Sequence, residues 1–309
     1  MASDIRICVV GGVNVDIAGT PFQRFLPGDS NPGTATLSLG GVGRNIAENL
    51  ARLGAHVQLV TALGDDAFTD WIRKGCTEAG IDMSLSKIVP DCASGLYLCV
   101  NDEAGDLYGA VSDMRACDAI TPAFLGSRLP ALNRADAVVL DANLPEETLV
   151  WLASHVSVPM AADTVSLRKC RRLAPCLRSL FLLKPNFAEG SVLAGLTPEE
   201  ASPQETAALL VRKGVRNVLL SLGERGVWYA DGLNADREPC FPGNVVSTNG
   251  CGDALFAGAL MAMMKDLPLR EAARCGLAAA SICAGTAAAV NPAMTWASVE
   301  AVARSRKTD

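Results

Sequence analysis

The chain has 309 residues and a mass of 32.2 kDa, a length that one large α/β domain can occupy. Half of its residues are hydrophobic and 19% are charged, a balance that excludes a disordered chain and predicts a sizeable core. The net charge is −6 and the sequence holds no long run of Lys or Arg, so we expect no nucleic-acid partner.

The eleven cysteines are scattered, without a C-x-x-C pair and without a signal-peptide pattern ahead of them. This distribution predicts a reducing, cytoplasmic location. The two histidines, His56 and His155, lie far apart in the sequence, which gives a Cys/His zinc site little support. The longest apolar stretches, 254–264 and 272–290, are short or interrupted by polar residues or glycine, so we predict buried helices and no membrane partner.

Short β-rich runs alternate with helical patterns along the chain. The predicted strands are 5–10, 57–61, 137–140, 158–161, 179–183 and 218–221. Helices that stop on glycine are predicted at 44–53, 68–79 and 206–213. The final third of the chain holds three further predicted helices, near 253–265, 269–286 and 295–305. This alternation predicts an α/β fold with a mainly parallel central sheet covered by helices.

Two turn-rich stretches interrupt this alternation. Residues 14–40 contain many turn formers around 34–39, where polar and apolar residues alternate as in a half-exposed strand. Residues 94–112 contain two candidate strands, 95–101 and 107–112, joined by a polar turn. We therefore predict a small antiparallel sheet over one end of the parallel one.

Asn14 and Asp16 follow the first predicted strand, at the edge where open α/β sheets bind ligands. A short carboxylate at this position suits a bidentate grip on two neighbouring hydroxyl groups. An Asx turn that leads the chain out of the strand is an alternative that these two residues leave open.

A glycine cluster, Gly40-Gly41-Val42-Gly43, precedes Arg44 and Asn45 at the start of a predicted helix. As a dinucleotide fingerprint it is incomplete and follows no buried strand, which argues against a nicotinamide oxidoreductase. The glycines let a sugar ring approach the backbone, and Asn45 offers both donors and acceptors, so the cluster predicts a polyhydroxyl site. A plain glycine-rich turn, with Asn45 bonded to local backbone, remains the alternative.

Two further motifs follow buried strands in the second half. After Lys184, Asn186 and Glu189 share one face of the next helix. A carboxylate there can organise the water shell of Mg²⁺, and a capping box explains the same spacing nearly as well. Ser221-x-Gly223-x-x-Gly226 is a second glycine-rich exit from a strand and is a weak signal alone.

The segment 247–253 precedes an apolar helix and contains Gly250 and Gly252. Glycines at a helix start leave consecutive backbone N–H groups pointing outward, which forms an anion-binding site. Asp253, in the first turn, would lie beside the bound anion and could take a proton from an attacking hydroxyl. The alternative is that Asp253 only caps a buried helix.

In this order, the motifs resemble the ribokinase-like family of PfkB-type carbohydrate kinases over essentially the whole chain. The resemblance implies an ATP-dependent phosphotransferase with an alcohol acceptor. It also implies a three-layer α/β/α sandwich as a single domain over 1–309, with a β-sheet lid formed from about 14–40 and 94–112. Mg²⁺ and a homodimer formed through the lid are implied as well.

The resemblance assigns roles by position. Asp253 is implied as the catalytic base, with Gly250, Cys251 and Gly252 as the anion hole. The implied substrate-binding residues are Asn14, Asp16, Ser30, Asn31, Gly40, Gly41, Gly43, Asn45 and Asp113. The implied ATP-binding residues are Lys184, Asn186, Ser221, Gly223, Gly226, Thr248, Asn249, Gly250 and Gly252. Glu189 is implied near Mg²⁺, through water.

Within the family, the pattern is most similar to kinases that act on pseudouridine. The similarity lies in segments 29–33 and 40–47, the pair Asp113-Met114 and the segment 163–169. It implies phosphorylation of the 5′-hydroxyl of pseudouridine. Other acceptors, such as ribose, fructose or inosine, and a non-catalytic ligand sensor on the same fold remain alternatives.

The sequence also departs from the family pattern around the predicted base. Asn249 and Cys251 stand where the T-G-A-G-D motif has Thr and a small residue. Ser247 stands where many members have an Asp near a monovalent cation, so the resemblance leaves a K⁺ requirement open.

Overall fold

A computed structural model describes residues 4–306, so the ends of the predicted domain, 1–3 and 307–309, lie outside the described residues. The strands are β1 (Arg6–Val10), β2 (Asn14–Pro21), β3 (Gly33–Gly40), β4 (His56–Val60), β5 (Ala62–Gly64), β6 (Ile81–Asp82), β7 (Lys87–Val89), β8 (Gly95–Asn101), β9 (Leu107–Asp113), β10 (Ala137–Asp141), β11 (Met160–Asp163), β12 (Leu180–Lys184), β13 (Asn217–Ser221), β14 (Val227–Ala230) and β15 (Ala235–Glu238). The α-helices are α1 (Val42–Arg52), α2 (Thr69–Glu78), α3 (Pro122–Gly126), α4 (Leu129–Leu132), α5 (Glu146–His155), α6 (Phe187–Ala194), α7 (Pro203–Arg212), α8 (Cys251–Met264), α9 (Leu269–Ala284) and α10 (Trp296–Ser305). Short 3₁₀ helices cover Arg115–Ala119, Cys170–Ser179 and Gly223–Arg225.

The large sheet has the strand order β15-β14-β13-β12-β11-β10-β1-β4-β6. The strands from β13 to β6 pair in parallel, and β14 and β15 add an antiparallel edge. The predicted, mainly parallel sheet is therefore confirmed. The antiparallel edge was not predicted, because β15 is polar and largely exposed and so lacks the apolar run that marks an inner strand.

Alternate residues of the inner strands face two separate cores. In β1, Ile7 and Val9 pack with α1, α2 and α8 to α10, whereas Cys8 and Val10 pack with α3 to α7. The helices thus cover both faces of the sheet. This arrangement confirms the three-layer α/β/α sandwich.

The predicted inner strands all occur, with small shifts at their ends. The largest shift is at β11, which was predicted to begin at Val158 and begins at Met160. Pro159 has no backbone N–H and cannot donate to a sheet ladder, so the strand starts after it.

A second sheet has the order β3-β2-β8-β9, and its outer pairs are antiparallel as predicted. The central pair, β2 with β8, is parallel, so the prediction of an antiparallel sheet is wrong at this position. The error arose because β2 was not recognised. Asn14 and Asp16 lie inside this strand, which begins four residues after the end of β1, and the turn formers that follow hid it in the sequence. In the sheet register, Asp16 is opposite Ser38 on one side and Tyr97 on the other.

The two apolar helices α8 and α9 pack closely against each other. A Cβ atom added to Gly258 would lie 2.7 Å from the Cβ of Ala279, so a glycine is required for the two helix backbones to approach this closely. Ten consecutive residues of α8, from Asp253 to Ala262, are buried. Among residues 4–306, no helix is long and apolar enough to cross a membrane.

Candidate active site

Three buried charged side chains lie next to one another at the carboxyl ends of the parallel strands. Asp141 of β10 is aligned with Asp163 of β11, which is aligned with Lys184 of β12. Their side chains are almost completely shielded from solvent. Open α/β sheets bind ligands at this edge, and the candidate site is built around it.

The first turn of α8 is the predicted anion-binding turn. Gly250 has a φ of 74°, and a Cβ at this position would lie 1.8 Å from the carbonyl oxygen of Ala289, so only glycine fits. No side chain caps this helix. Within residues 4–306, no acceptor meets the backbone N–H groups of Gly252 and Asp253. These groups are therefore available to an anion, and anion binding at this turn stays a prediction.

Asp253 lies at the centre of the site and is 8% exposed. The side-chain amide of Asn45 donates a hydrogen bond of 3.0 Å to its Oδ2. Burial, followed by the nearby charge of Asp163, raises the pKa of Asp253 to about 7, although Lys184 and Asn45 act in the opposite direction. A carboxyl group with this pKa can accept a proton near neutral pH and is not needed as a cap.

Lys184 lies between the carboxylates and the anion-binding turn. Its Nζ is 2.7 Å from Oδ2 of Asp163, and a Cβ added to Gly252 would lie 3.1 Å from the same Nζ. Burial acts to lower the pKa of Lys184, but the charges of Asp163 and Asp253 outweigh it and the pKa is raised. A permanent positive charge therefore lies beside the free N–H groups of α8.

Asn186 and Glu189 form the capping box that the sequence left as an alternative. Asn186 Oδ1 accepts from the N–H of Glu189 at 2.9 Å, and Glu189 Oε2 accepts from the N–H of Asn186 at 3.0 Å. The hydroxyl of Thr164 also donates to Oε2, at 2.5 Å. Glu189 is thus a buried carboxylate held in one orientation at the start of α6.

This donor set fits Mg²⁺ that is bound mainly by phosphate and water. Within the described part of the chain, no group of three or more His, Cys, Asp or Glu side chains could hold a metal ion. Mg²⁺ commonly takes one or two protein carboxylates and keeps several waters, so Glu189 alone is sufficient. A protein cage of the kind that holds Ca²⁺ or Zn²⁺ does not match these residues.

On the opposite side, Asn14 and Asp16 contact each other. The side-chain amide of Asn14 donates to Asp16 Oδ1 at 2.6 Å. Both residues lie inside β2, so the chain forms a strand here and not an Asx turn. Burial raises the pKa of Asp16, whereas Asn14 and the charge of Arg44 lower it. A half-buried carboxylate, already oriented by an amide, faces the space beside Gly40.

Asp141 was not predicted as a site residue, and it holds the substrate-side turns together. It is fully buried, and its Oδ2 accepts from the N–H groups of Gly12 at 2.8 Å and Gly43 at 2.9 Å. Its Oδ1 accepts from the N–H of Asn143 at 2.9 Å. Burial raises the pKa of Asp141, and these hydrogen bonds lower it. The only signal in the sequence is an aspartate at the end of an otherwise apolar strand.

The predicted substrate-side glycines are explained by contacts within the chain. Gly41 has a φ of 97°, and a Cβ there would lie 2.7 Å from the carbonyl oxygen of Gly12. A Cβ on Gly43 would lie 2.9 Å from Asp141 Oδ2, and one on Gly40 would lie 2.2 Å from Asp16 Oδ2. The glycines permit this close packing, and contact between them and a ligand stays a prediction.

Three of the predicted substrate-binding residues are not brought together: Ser30 and Asn31 lie in the loop between β2 and β3, and Asp113 is the last residue of β9. Asn31 uses its side chain to bond the backbone of Leu26 and Asp29, and Ser30 is exposed on the same loop. Asp113 pairs with the guanidinium of Arg115 at 2.6 Å, which holds the pKa of Asp113 below its usual value. The side chains of Asn31 and Asp113 therefore already have partners within the chain.

The predicted ATP-binding residues lie along the edge from β12 to α8. Ser221 lies beside Asn186 in an isolated parallel bridge. Gly223 and Gly226 both have positive φ values, 62° and 93°, in the turn after β13. Thr248 and Asn249 are exposed on the turn before α8. That these residues bind ATP stays a prediction.

Comparison with known proteins places this geometry in a family. The profile described as pfkB family carbohydrate kinase matches residues 4–296. A pseudouridine kinase from Escherichia coli is 32% identical over 297 residues, which cover 95% of each chain. A guanosine-inosine kinase from Exiguobacterium acetylicum is 28% identical over 94% of this chain and 98% of its own. A ribokinase structure from Arabidopsis thaliana, complexed with ribose and ATP, has a TM-score of 0.86 and 24% identity, covering 97% of this chain and 99% of its own.

Proposed function

We propose, from the premise that the chain belongs to the pfkB family of carbohydrate kinases, that it transfers the γ-phosphoryl group of ATP to the 5′-hydroxyl of pseudouridine. Membership makes the protein a phosphotransferase that acts on a hydroxyl group of a sugar or nucleoside. The choice of pseudouridine is supported by the similarity to the Escherichia coli enzyme over nearly the full length of both chains.

The observation that carries the chemistry is the position of Asp253, a buried carboxyl group with a pKa of about 7 beside free backbone N–H groups. Asp253 accepts the proton of the 5′-hydroxyl as the hydroxyl oxygen attacks the phosphoryl group. The N–H groups at the start of α8 and the charge of Lys184 stabilise the negative charge on the transferred group. Asn45 orients Asp253 through its hydrogen bond.

On the substrate side, Asp16 and Asn45 hold the ribose hydroxyls. Ser30, Asn31 and Asp113 read the uracil edge in our proposal. To do so, Asn31 must release the backbone of its loop, and Asp113 must share or release Arg115. The lid must therefore rearrange when the nucleoside binds.

Glu189 would hold Mg²⁺ through water on the nucleotide side. The metal, when bound, offsets the charge of the phosphates that it contacts. A K⁺ requirement has weak support, because Ser247 offers a hydroxyl in place of a carboxylate, and this hydroxyl accepts from the N–H of Asn249 at 3.1 Å.

We further propose a homodimer formed through the lid. The row Leu37, Ile17, Leu98 and Val111 crosses all four strands on the face opposite to Asp16. Leu37, Leu98 and Val111 are 53%, 48% and 67% exposed. A two-fold axis would lay this uncharged row against the same row of a second copy.

The eleven free thiols fit a cytoplasmic protein.

A coupled assay of ATP consumption tests the acceptor. Pseudouridine, uridine, inosine and ribose are compared at equal concentration, and we expect the largest kcat/KM for pseudouridine. A larger kcat/KM for inosine would favour the second candidate, a purine nucleoside kinase, which the similarity to the guanosine-inosine enzyme supports. ATP binding without consumption in the presence of every acceptor would replace the kinase with a ligand sensor.

A further inference from the structure

Two thiols lie at the anion-binding turn of α8. Cys251 is the first residue of α8 and is half-buried, and Cys283, near the end of α9, is fully buried. The sulfur of Cys283 lies 3.4 Å from the carbonyl oxygen of Ala289 and 3.7 Å from that of Asn249. The sulfur of Cys251 lies 3.8 Å from the carbonyl oxygen of Ser247. Both sulfurs therefore border the same short turn.

The two thiols also influence each other's protonation. The neighbouring Cys283 side chain is the largest cause that lowers the pKa of Cys251, whereas burial acts to raise it. The Cys251 side chain, together with burial, raises the pKa of Cys283. Cys251 thus has the greater thiolate character and the greater access to solvent, and Cys283 lies next to it as a protonated partner.

We propose that Cys251 and Cys283 form a reversible oxidation site for hydroperoxides. The Cys251 thiolate attacks one peroxide oxygen, the O–O bond breaks, and protonation of the leaving oxygen gives water and a sulfenic acid. The sulfur of Cys283 then attacks the sulfenic sulfur, forms the S–S bond and releases a second water. Two thiols lose two electrons and two protons in total, and one molecule of hydrogen peroxide is reduced to two of water.

The consequence for activity rests on the proposed function, because the disulfide would form beside Gly252 and Asp253. A sulfur–sulfur bond is about 2.05 Å long, so the first turn of α8 and the end of α9 must draw together from non-bonded contact. A displacement of about 1 Å at a catalytic centre can cost about 10²-fold in rate. Oxidation should therefore suppress phosphoryl transfer without removing any catalytic group.

The test uses the full-length protein, reduced, freed of reductant and treated with hydrogen peroxide. After blocking free thiols and digesting with a protease, we expect a peptide pair linked through Cys251 and Cys283. Kinase activity should fall at least about 10-fold and return with dithiothreitol, in keeping with the displacement argument. Absence of the linked pair while peroxide reacts elsewhere in the chain would overturn the proposal.

Two variants sharpen the test. Cys283→Ser keeps a donor beside Ala289 and Asn249, and it should abolish the activity loss that dithiothreitol reverses. Cys240→Ser is the matched control, because Cys240 is also half-buried on the nucleotide side, with its sulfur 3.4 Å from the carbonyl oxygen of Gly223. It should keep the full sensitivity, and a reversal of these two results would contradict the assignment. The linked peptide is measured independently of activity, so an inactive kinase would refute the proposed function and leave the oxidation site to be judged alone.

Discussion

Two helices of this protein begin in the same way and use their first turns differently. Both α1 and α8 follow a glycine with positive φ, Gly41 at 97° and Gly250 at 74°, and neither is capped by the side chain of that residue. At α1, the N–H of Gly43 donates to the buried carboxylate of Asp141. At α8, the corresponding N–H groups have no acceptor among the described residues. One turn is closed by the chain itself, and the other is open to a ligand.

A glycine-rich helix start therefore does not by itself indicate a ligand site. Any helix N-terminus attracts negative charge, because its first N–H groups lack partners and the helix dipole adds to their field. At α1 that charge comes from Asp141 of the distant strand β10, so the turn links two parts of the fold. Where none is supplied, as at α8, the turn stays available to an anion. Sequence spacing alone does not separate the two cases.

The largest effect should come from the open turn. Asp253→Asn removes the proton acceptor and keeps the shape, so we expect kcat to fall about 10³-fold or more, with little change in nucleoside and ATP affinity. Steady-state kinetics and calorimetric titration measure the two effects. The matched control is Asp70→Asn, which changes an exposed aspartate in the first turn of α2 and should leave kcat unchanged. Equal losses in both variants would reduce Asp253 to a structural cap.

Disrupting the turn before α1, which Asp141 holds, should weaken binding of the nucleoside. Asp141→Asn places an amide donor against the N–H groups of Gly12 and Gly43, and a buried donor without an acceptor costs about 1–3 kcal/mol. Because these turns carry Asn14, Asp16 and Asn45, we expect the nucleoside KM to rise about 10-fold, with the ATP KM changed far less.

Its control lies at the other end of the same strand. Asp136 precedes β10 and accepts from the N–H of Arg6 at 2.8 Å, so Asp136→Asn makes a similar substitution far from the cleft. Both variants can lose stability, and thermal unfolding records that loss. If Asp141→Asn lowered stability while both KM values stayed at the wild-type level, Asp141 would have no part in positioning the substrate side.

A smaller effect is expected from pH. The pKa of Asp253 is about 7, so the ionised fraction falls about fivefold between pH 7 and pH 6, and kcat/KM should fall with it. The rate profile of the wild-type enzyme between pH 5 and 9 measures this. A profile that stays flat down to pH 5 would place the essential base on a group with an ordinary carboxyl pKa.

The smallest effect concerns the pH dependence of folding stability, and its direction follows from the raised pKa of Asp253. Folding raises the pKa of Asp253 above its usual 3.8, so the folded protein holds this proton more tightly than the unfolded chain. The stability contributed by that proton is present at acidic pH and is lost as the pH rises through about 7. Asp253→Asn, which is always neutral, should therefore unfold at the same or a higher temperature than the wild type at pH 8.

Much of the scaffold could be predicted because its signals are local. An inner strand such as β1 is a continuous apolar run closed by glycines, and α8 is an apolar helix that begins after Gly250. The strand β2 could not be recognised, because it is half-exposed and its neighbours in the sequence are turn formers. The parallel pairing of β2 with β8 depends on residues about eighty positions apart in the sequence.

The candidate site also contains residues that the sequence indicates and residues that it does not. Asp253 was predicted from the glycines beside it, but its hydrogen bond to Asn45 spans 208 positions and has no local signal. Asp141 was missed for the same reason, because its partners Gly12 and Gly43 belong to other elements. Asn31 and Asp113 have suitable chemistry, yet nearby groups bind their side chains first. Residue type and spacing indicate which chemistry a side chain can perform. The fold determines which hydrogen-bond or ion-pair partners it meets.

The close packing of α8 on α9 also decides where the molecule can move. Gly258 packs against Ala279 and ten successive residues of α8 are buried, so we expect the hydrogen-bonded amides beyond its first turn to exchange slowly with solvent. The lid strands β3 and β9 are exposed along nearly their whole length. We therefore expect the second sheet, rather than α8, to move when a substrate enters or a product leaves.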